Sequence, residues 1–183
     1  MNITAKVALR MIPDSLATQP IFLCVDDTMV AKAGTRFENV SKLFDHAAHN
    51  GSNYLNGHCF VSIMLCIPVW KNDRVSYLSL PLGYRMWQKK ESKLELAASM
   101  IRQVMPEFQE KKQVIILCDS WYTKRNLVSI VDEYLNLDLI GNARIDSVMY
   151  DPAPAHTGRR GRPAKHGKRL SVETDFSFQS IFY

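Results

Sequence analysis

The clearest chemistry in this sequence lies in three aspartates. Asp26 and Asp27 follow the apolar run 21–25 (IFLCV), and Asp119 follows the apolar run 114–118 (VIILC). Two carboxylates converging from separate strands repel each other until a divalent cation lies between them. Mg²⁺ suits such a pair, because it takes one or two carboxylates and completes its shell with water and substrate phosphate oxygens. Two such ions, about 3.5–4 Å apart, can activate an attacking oxygen and stabilise a leaving one in phosphodiester chemistry. Successive strand side chains point to opposite faces, so Asp26 and Asp27 do not reach the same ion in the same way. Asp27, beside Thr28, is the expected ligand, with Asp26 as its support or a cap. Each aspartate also has a plainer role open to it: a turn residue or helix N-cap, with Asp119 and Thr123 opening the next helix.

The elements that must position these residues follow from apolar spacing. Run 21–25 predicts a buried strand that closes at Asp26-Asp27-Thr28. Residues 29–57 are polar and rich in Asn, His and Gly, an excursion with one short amphipathic stretch at 40–48. Run 59–69 predicts a central strand, with Pro68 as a bulge or an end. Asn72-Asp73 is a turn signal, and the alternation over 75–82 predicts its hairpin partner. Apolar positions 94, 96–98, 100, 101 and 104 have helical spacing, closed by Pro106. Run 114–118 does not alternate, as expected of a strand buried on both faces. Helical spacing returns over 123–134, and 137–143 predicts a last strand. This order of strands and helices predicts one mixed α/β sheet flanked by helices, in which the first strand and the strand ending at Asp119 lie parallel and adjacent. Open sheets of this kind place their sites at the C-terminal ends of strands.

The chain has 183 residues, 46% hydrophobic and 22% charged, which suits a buried core and excludes wholesale disorder. The expected organisation is a lead-in over 1–20, a catalytic core over 21–149 containing the excursion 28–57, and a basic Pro/Gly-rich end over 150–183. The longest nearly apolar stretch, 59–70, is 12 residues, whereas a membrane helix needs roughly 20. No secretory leader is recognisable, so a cytoplasmic protein with no membrane partner is expected. The net charge of +5 is local. Residues 156–170 hold six Lys/Arg (Arg159, Arg160, Arg162, Lys165, Lys168, Arg169) and no acid, and the remainder sums to −1. Such a segment neutralises phosphates and binds nucleic acid in a salt-dependent way, and Arg160-Gly161-Arg162-Pro163 matches the core of a minor-groove hook. A solvated basic loop has the same composition.

Other constellations are weaker. Asp45, His46 and His49 have helix-face metal spacing without a third ligand. His58 is read as an interior histidine or an orienter of a carboxylate. Trp121, beside Asp119, is the one tryptophan that could stack a base. Arg85, Lys89, Lys90 and Lys93 read most simply as a solvated face. Cys24, Cys59, Cys66 and Cys118 stand singly, as reduced interior thiols rather than disulfides or a zinc site.

Cys24-Val25-Asp26-Asp27-Thr28 and Leu117-Cys118-Asp119-Ser120-Trp121-Tyr122 resemble the two acidic motifs of DDE-type transposases of bacterial insertion sequences. Gly141-Asn142-Ala143-Arg144 and Gly158-Arg159-Arg160-Gly161-Arg162-Pro163 with Lys165 are similar to later parts of that family, in the same order, so the likeness spans about 21–170. The resemblance implies a ribonuclease H-like core with two Mg²⁺ or Mn²⁺ ions, cleavage at transposon ends, and strand transfer by a 3′-hydroxyl on target DNA, with a homodimer as a further expectation. Asp27 is similar to the first catalytic aspartate and Asp119 to the second; Lys124 and Arg125, just after it, are expected at DNA phosphates. The family's third acid is a glutamate on a later helix. Glu173 is the only glutamate after Gly141, and its neighbours do not read as a helix. Glu107 and Glu133 fall in the wrong places, so the chain reads as truncated before that acid. Two rival readings remain: a ribonuclease H-like nuclease without strand transfer, and a DNA-binding remnant that does not cleave.

Overall fold

The computed structural model describes residues 1–34, 36–44, 53–108, 112–143, 146–155, 162, 164–171 and 174–175. Two compact units are present, Met1–Asn142 and Ala143–Tyr183.

The first unit is built on a six-stranded mixed sheet. Its strands are β1 (Ile21–Ala31), β2 (Ser41–Phe44), β3 (Tyr54–Lys71), β4 (Arg74–Met86), β5 (Val114–Cys118) and β6 (Leu137–Gly141). The order is β2-β3-β1-β5-β6, with β4 also on β3. β3 is antiparallel to β1 and β4, while β1, β5 and β6 run parallel. This is the ribonuclease H-like mixed sheet, and β1 and β5 are neighbours as the sequence predicts. Asn72 and Asp73 both adopt positive φ (50° and 58°), the conformation a two-residue hairpin turn demands.

Among the described residues three helices accompany the sheet: α1 (Asn2–Arg10), α2 (Lys93–Val104) and the single turn α3 (Arg125–Val128). α2 begins with a capping box, in which Ser92 accepts from the Glu95 amide and Glu95 accepts from the Ser92 amide. Its buried residues Leu94, Ala97, Ala98, Ile101 and Val104 pack on the face of the sheet formed by Ile21, Leu23, Val25, Val61, Ile63, Val114 and Ile116. Ala5 and Ala8 bring α1 into the same core, so residues 2–10 are folded helix and not only a lead-in.

Several details differ from the expectations. β1 does not end at Asp26-Asp27: it continues to Ala31, because β3 begins early enough to pair with it down to Ala31–Gly57. The polar excursion is therefore partly strand, with β2 paired to the start of β3. Pro68 is neither bulge nor end. The irregularity lies between Ile63 and Met64, opposite Gly83 and Pro81, where Pro81 has no amide to donate to the ladder. The helix expected over 123–134 is only α3 followed by a 3₁₀ stretch, Ser129–Glu133.

In the second unit, β7 (Met149–Tyr150) and β8 (Arg169–Leu170) pair antiparallel. The basic segment leads into β8, and Tyr150 stacks on His166 with ring centroids 4.9 Å apart.

Candidate active site

Parallel pairing carries β1 and β5 forward together, ending at Val25–Cys118. The next residues on each chain are Asp26 and Asp119, and Asp27 lies one further along β1. Asp26, Asp27 and Asp119 all border one groove of about 600 Å³, with Lys42, Trp87, Lys89, Lys93 and Trp121 on its walls. The sheet thus brings the three sequence-predicted carboxylates to the border of one groove.

Their settings differ. Asp119 is exposed, and its Oδ1 accepts the amides of Trp121 (3.0 Å) and Tyr122 (3.2 Å), so it shapes the turn after β5 rather than capping α3. Lys124 takes the N-cap position of α3 instead, without a side-chain cap. Asp26 is exposed and accepts the Asp27 amide on its own Oδ1 at 2.8 Å, a purely local bond. Asp27 is the sheltered one, its side chain 16% exposed. Its Oδ1 accepts the Tyr122 hydroxyl at 3.2 Å, while its Oδ2 accepts Lys93 Nζ at 2.6 Å and the Cys59 thiol at 3.2 Å. Burial and then the Asp27 carboxylate push the Cys59 thiol up to about 11. The same two causes raise the Tyr122 hydroxyl far above its ordinary value, keeping it a donor. Burial works to lower the Lys93 ammonium, but the contact with Asp27 outweighs it and the net shift is upward.

The turn bearing Asp119 is tied to β6. The Thr123 hydroxyl donates to the carbonyls of Ser120 (3.0 Å) and Asn142 (2.9 Å), sharing one proton between them. Gly141 leaves room for this: a Cβ there would run into Thr123 Cγ2 and come within 3.0 Å of Cys118 Sγ.

Of the residues expected at DNA, Lys124 and Arg125 are exposed beside this turn, with Lys124 Nζ 5.8 Å from the centre of the Trp121 ring. Arg162, Lys165, Lys168 and Arg169 are exposed in the second unit, where Lys168 donates to Asp175 at 2.9 Å. Arg159 and Arg160 lie outside the described residues, as do Asp45, His46, His49, Arg144 and Glu173. Glu107 and Glu133 are engaged elsewhere, with Lys6 and Arg102. His58 is neither interior nor aimed at a carboxylate; it is half-buried and bonds to the Glu38 carbonyl at 2.8 Å. Lys93 corrects the solvated-face reading, being 17% exposed and ion-paired. The motif Ser92-Lys93-Leu94-Glu95 is a capping-box signature that places Lys93 at the first position of a helix, but not what it would meet.

Asp27 and Asp119 are hard oxygen donors that fit Mg²⁺ or Mn²⁺, and Asp26 borders the same space. Among the described residues, no group of three or more His, Cys, Asp or Glu gathers to hold a metal.

A ribonuclease H-like sheet with three aspartates and three lysines on one aromatic-walled groove is an arrangement that suits nucleic-acid processing. The chain belongs to the DDE superfamily endonucleases, whose family model matches residues 2–177. Its function is therefore of the transposase or nuclease kind, acting on DNA, in a superfamily that generally uses divalent metals. Among curated proteins none matches the chain. Among the described residues, no helix is long and apolar enough to cross a membrane.

Proposed function

We propose that this chain is the catalytic-core part of a DNA transposase, which cuts phosphodiesters at transposon ends and joins a 3′-hydroxyl end to target DNA. The observation that carries this is the parallel β1–β5 register, which delivers Asp27 and Asp119 to one groove walled by lysines and tryptophans. In this reading Asp27 and Asp119 hold Mg²⁺ or Mn²⁺, with Asp26 in support, and the bound ions supply activation of the attacking oxygen and stabilisation of the leaving one. Tyr122 and Cys59 fix the Asp27 carboxylate in the groove, and the Trp121 and Tyr122 amides fix Asp119. Lys124 and Arg125 meet DNA phosphates near the turn. Arg159, Arg160, Arg162, Lys165, Lys168 and Arg169 add salt-dependent backbone affinity. The protein works in the cytoplasm on nucleoid DNA, as a homodimer that pairs two ends.

Glu107 and Glu133 are taken up by Lys6 and Arg102, and we infer that the chain alone is inactive or very weak. Incubation with supercoiled plasmid and Mn²⁺ tests this: the expected result is no more nicking than by Asp119→Ala. Strong nicking that Asp119→Ala abolishes overturns that inference; Mn²⁺ binding indifferent to both Asp27→Asn and Asp119→Asn overturns the site. A second reading, DNA binding without cleavage, is favoured by the ion pair that already engages Asp27. Equal DNA affinity in wild type and the Asp27→Ala/Asp119→Ala double variant, with no cleavage by either, supports it.

A further inference from the structure

Lys93 stands where helix energetics disfavour a cation. It is the first residue of α2, at the positive end of the helix dipole, where an acidic residue would be favourable. Its ammonium is nonetheless drawn inward, 2.6 Å from Asp27 Oδ2 and within 5.5 and 5.3 Å of the ring centres of Trp87 and Trp121. One carboxylate and two indole faces are a binding site for a cation, and here the chain fills it with its own side chain. Asp27 Oδ2 accepts from both Lys93 and Cys59, which uses its two lone pairs, and Oδ1 already accepts from Tyr122.

We propose that Lys93 is a built-in counter-cation of Asp27 that a divalent ion must displace, and that the displaced ammonium then faces the groove as a contact for a DNA phosphate. This rests on the reading of Asp27 as a metal ligand. Oδ1 keeps one lone pair for a divalent ion, and an ion bound there repels an ammonium at contact distance on the same carboxylate, so metal loading drives Lys93 off Oδ2. Without metal, Lys93 neutralises a sheltered carboxylate and holds the groove together; with metal, its charge is free for the substrate. Lys93 is thus a positioning residue that sets the metal affinity and couples metal loading to DNA binding.

Two measurements test it. In the wild-type chain, acetylation of Lys93 by a water-soluble active ester, followed by peptide mass spectrometry, should be slow without metal and at least fivefold faster in Mg²⁺, with Lys42 and Lys89 changing less than twofold. Mn²⁺ affinity, read from free-ion paramagnetic resonance, should rise about tenfold in Lys93→Met or Lys93→Gln and stay within about twofold of wild type in Lys93→Arg. Unchanged Lys93 labelling, or unchanged or weaker Mn²⁺ binding in either folded neutral variant, overturns the proposal. Asp27→Asn separates the two levels. If it leaves Mn²⁺ binding intact, the metal reading itself fails; if it weakens binding while the neutral Lys93 variants do not strengthen it, only the role of Lys93 fails.

Discussion

Gly141→Ala should damage the fold through a single methyl group, and Thr123→Ser should repair most of that damage. The new Cβ would collide with Thr123 Cγ2 and lie 3.0 Å from Cys118 Sγ and 3.2 Å from the Cys118 carbonyl oxygen. Thr123 has little freedom to withdraw, since its hydroxyl bonds to Ser120 and Asn142. Overpacking of this kind costs about 2 kcal/mol, less a few tenths regained because alanine restricts the unfolded chain. Thr123→Ser keeps the hydroxyl and removes Cγ2, which alone costs about 0.8 kcal/mol for one lost methyl. Were the two changes independent, the double variant would lose about 2.5 kcal/mol. With the collision removed it should lose only about 1–1.5 kcal/mol, the remainder reflecting the two Cys118 contacts, so the coupling is about 1 kcal/mol or more. Urea unfolding followed by tryptophan fluorescence measures all four proteins, with equal m-values as the check that only stability changed. A double variant as unstable as the sum of the singles, or a Gly141→Ala protein as stable as wild type, refutes the reasoning.

Three further outcomes follow from the same geometry. Ile116, fully buried in β5, should cost about 1 kcal/mol as valine and about 3–4 kcal/mol as alanine in urea unfolding, because the sheet face and α2 cannot both close on the void; a loss under 1 kcal/mol for alanine contradicts the packing. Arg102 grips Glu133 through two bonds of 2.8 and 2.6 Å and holds its carboxyl below the ordinary value. A depressed carboxyl stabilises the fold above its unfolded value of 4.5 and loses that contribution as pH falls through the lower folded value. Arg102→Gln should therefore lower Tm at pH 7, by an amount reflecting about 0.5 kcal/mol, and change it little at pH 2, where equal shifts at both pH values would exclude the mechanism. Deleting residues 156–170 removes six cations, so the slope of log DNA affinity against log salt should flatten by several units, each neutralised phosphate counting for about 0.9; an unchanged slope shows that the segment does not meet DNA.

Much of the frame was legible because hydrophobic patterning is a local property. Runs 21–25 and 114–118 became β1 and β5, and the apolar spacing after Ser92 became α2. Asp27 and Asp119 stood out because acids directly after such runs fall near one end of the sheet. The end of β1 was not legible: the residues after Val25 are polar, and only pairing with β3, down to Gly57, keeps them in the strand. The short α3 escaped for a similar reason, since Leu127 and Ile130 are buried by a single turn and a 3₁₀ stretch as well as by a long helix.

By itself, the sequence determined which segments are apolar enough to lie inside the sheet, where its acids follow them, and that the positive charge is gathered in one stretch. The tertiary structure alone decided what those acids meet. Lys93 and Asp27 are 66 positions apart, and Tyr122 and Asp27 are 95 apart. No local pattern encodes such contacts, because they exist only once the sheet register and the packing of α2 bring distant residues within the few ångströms over which hydrogen bonds and ion pairs act.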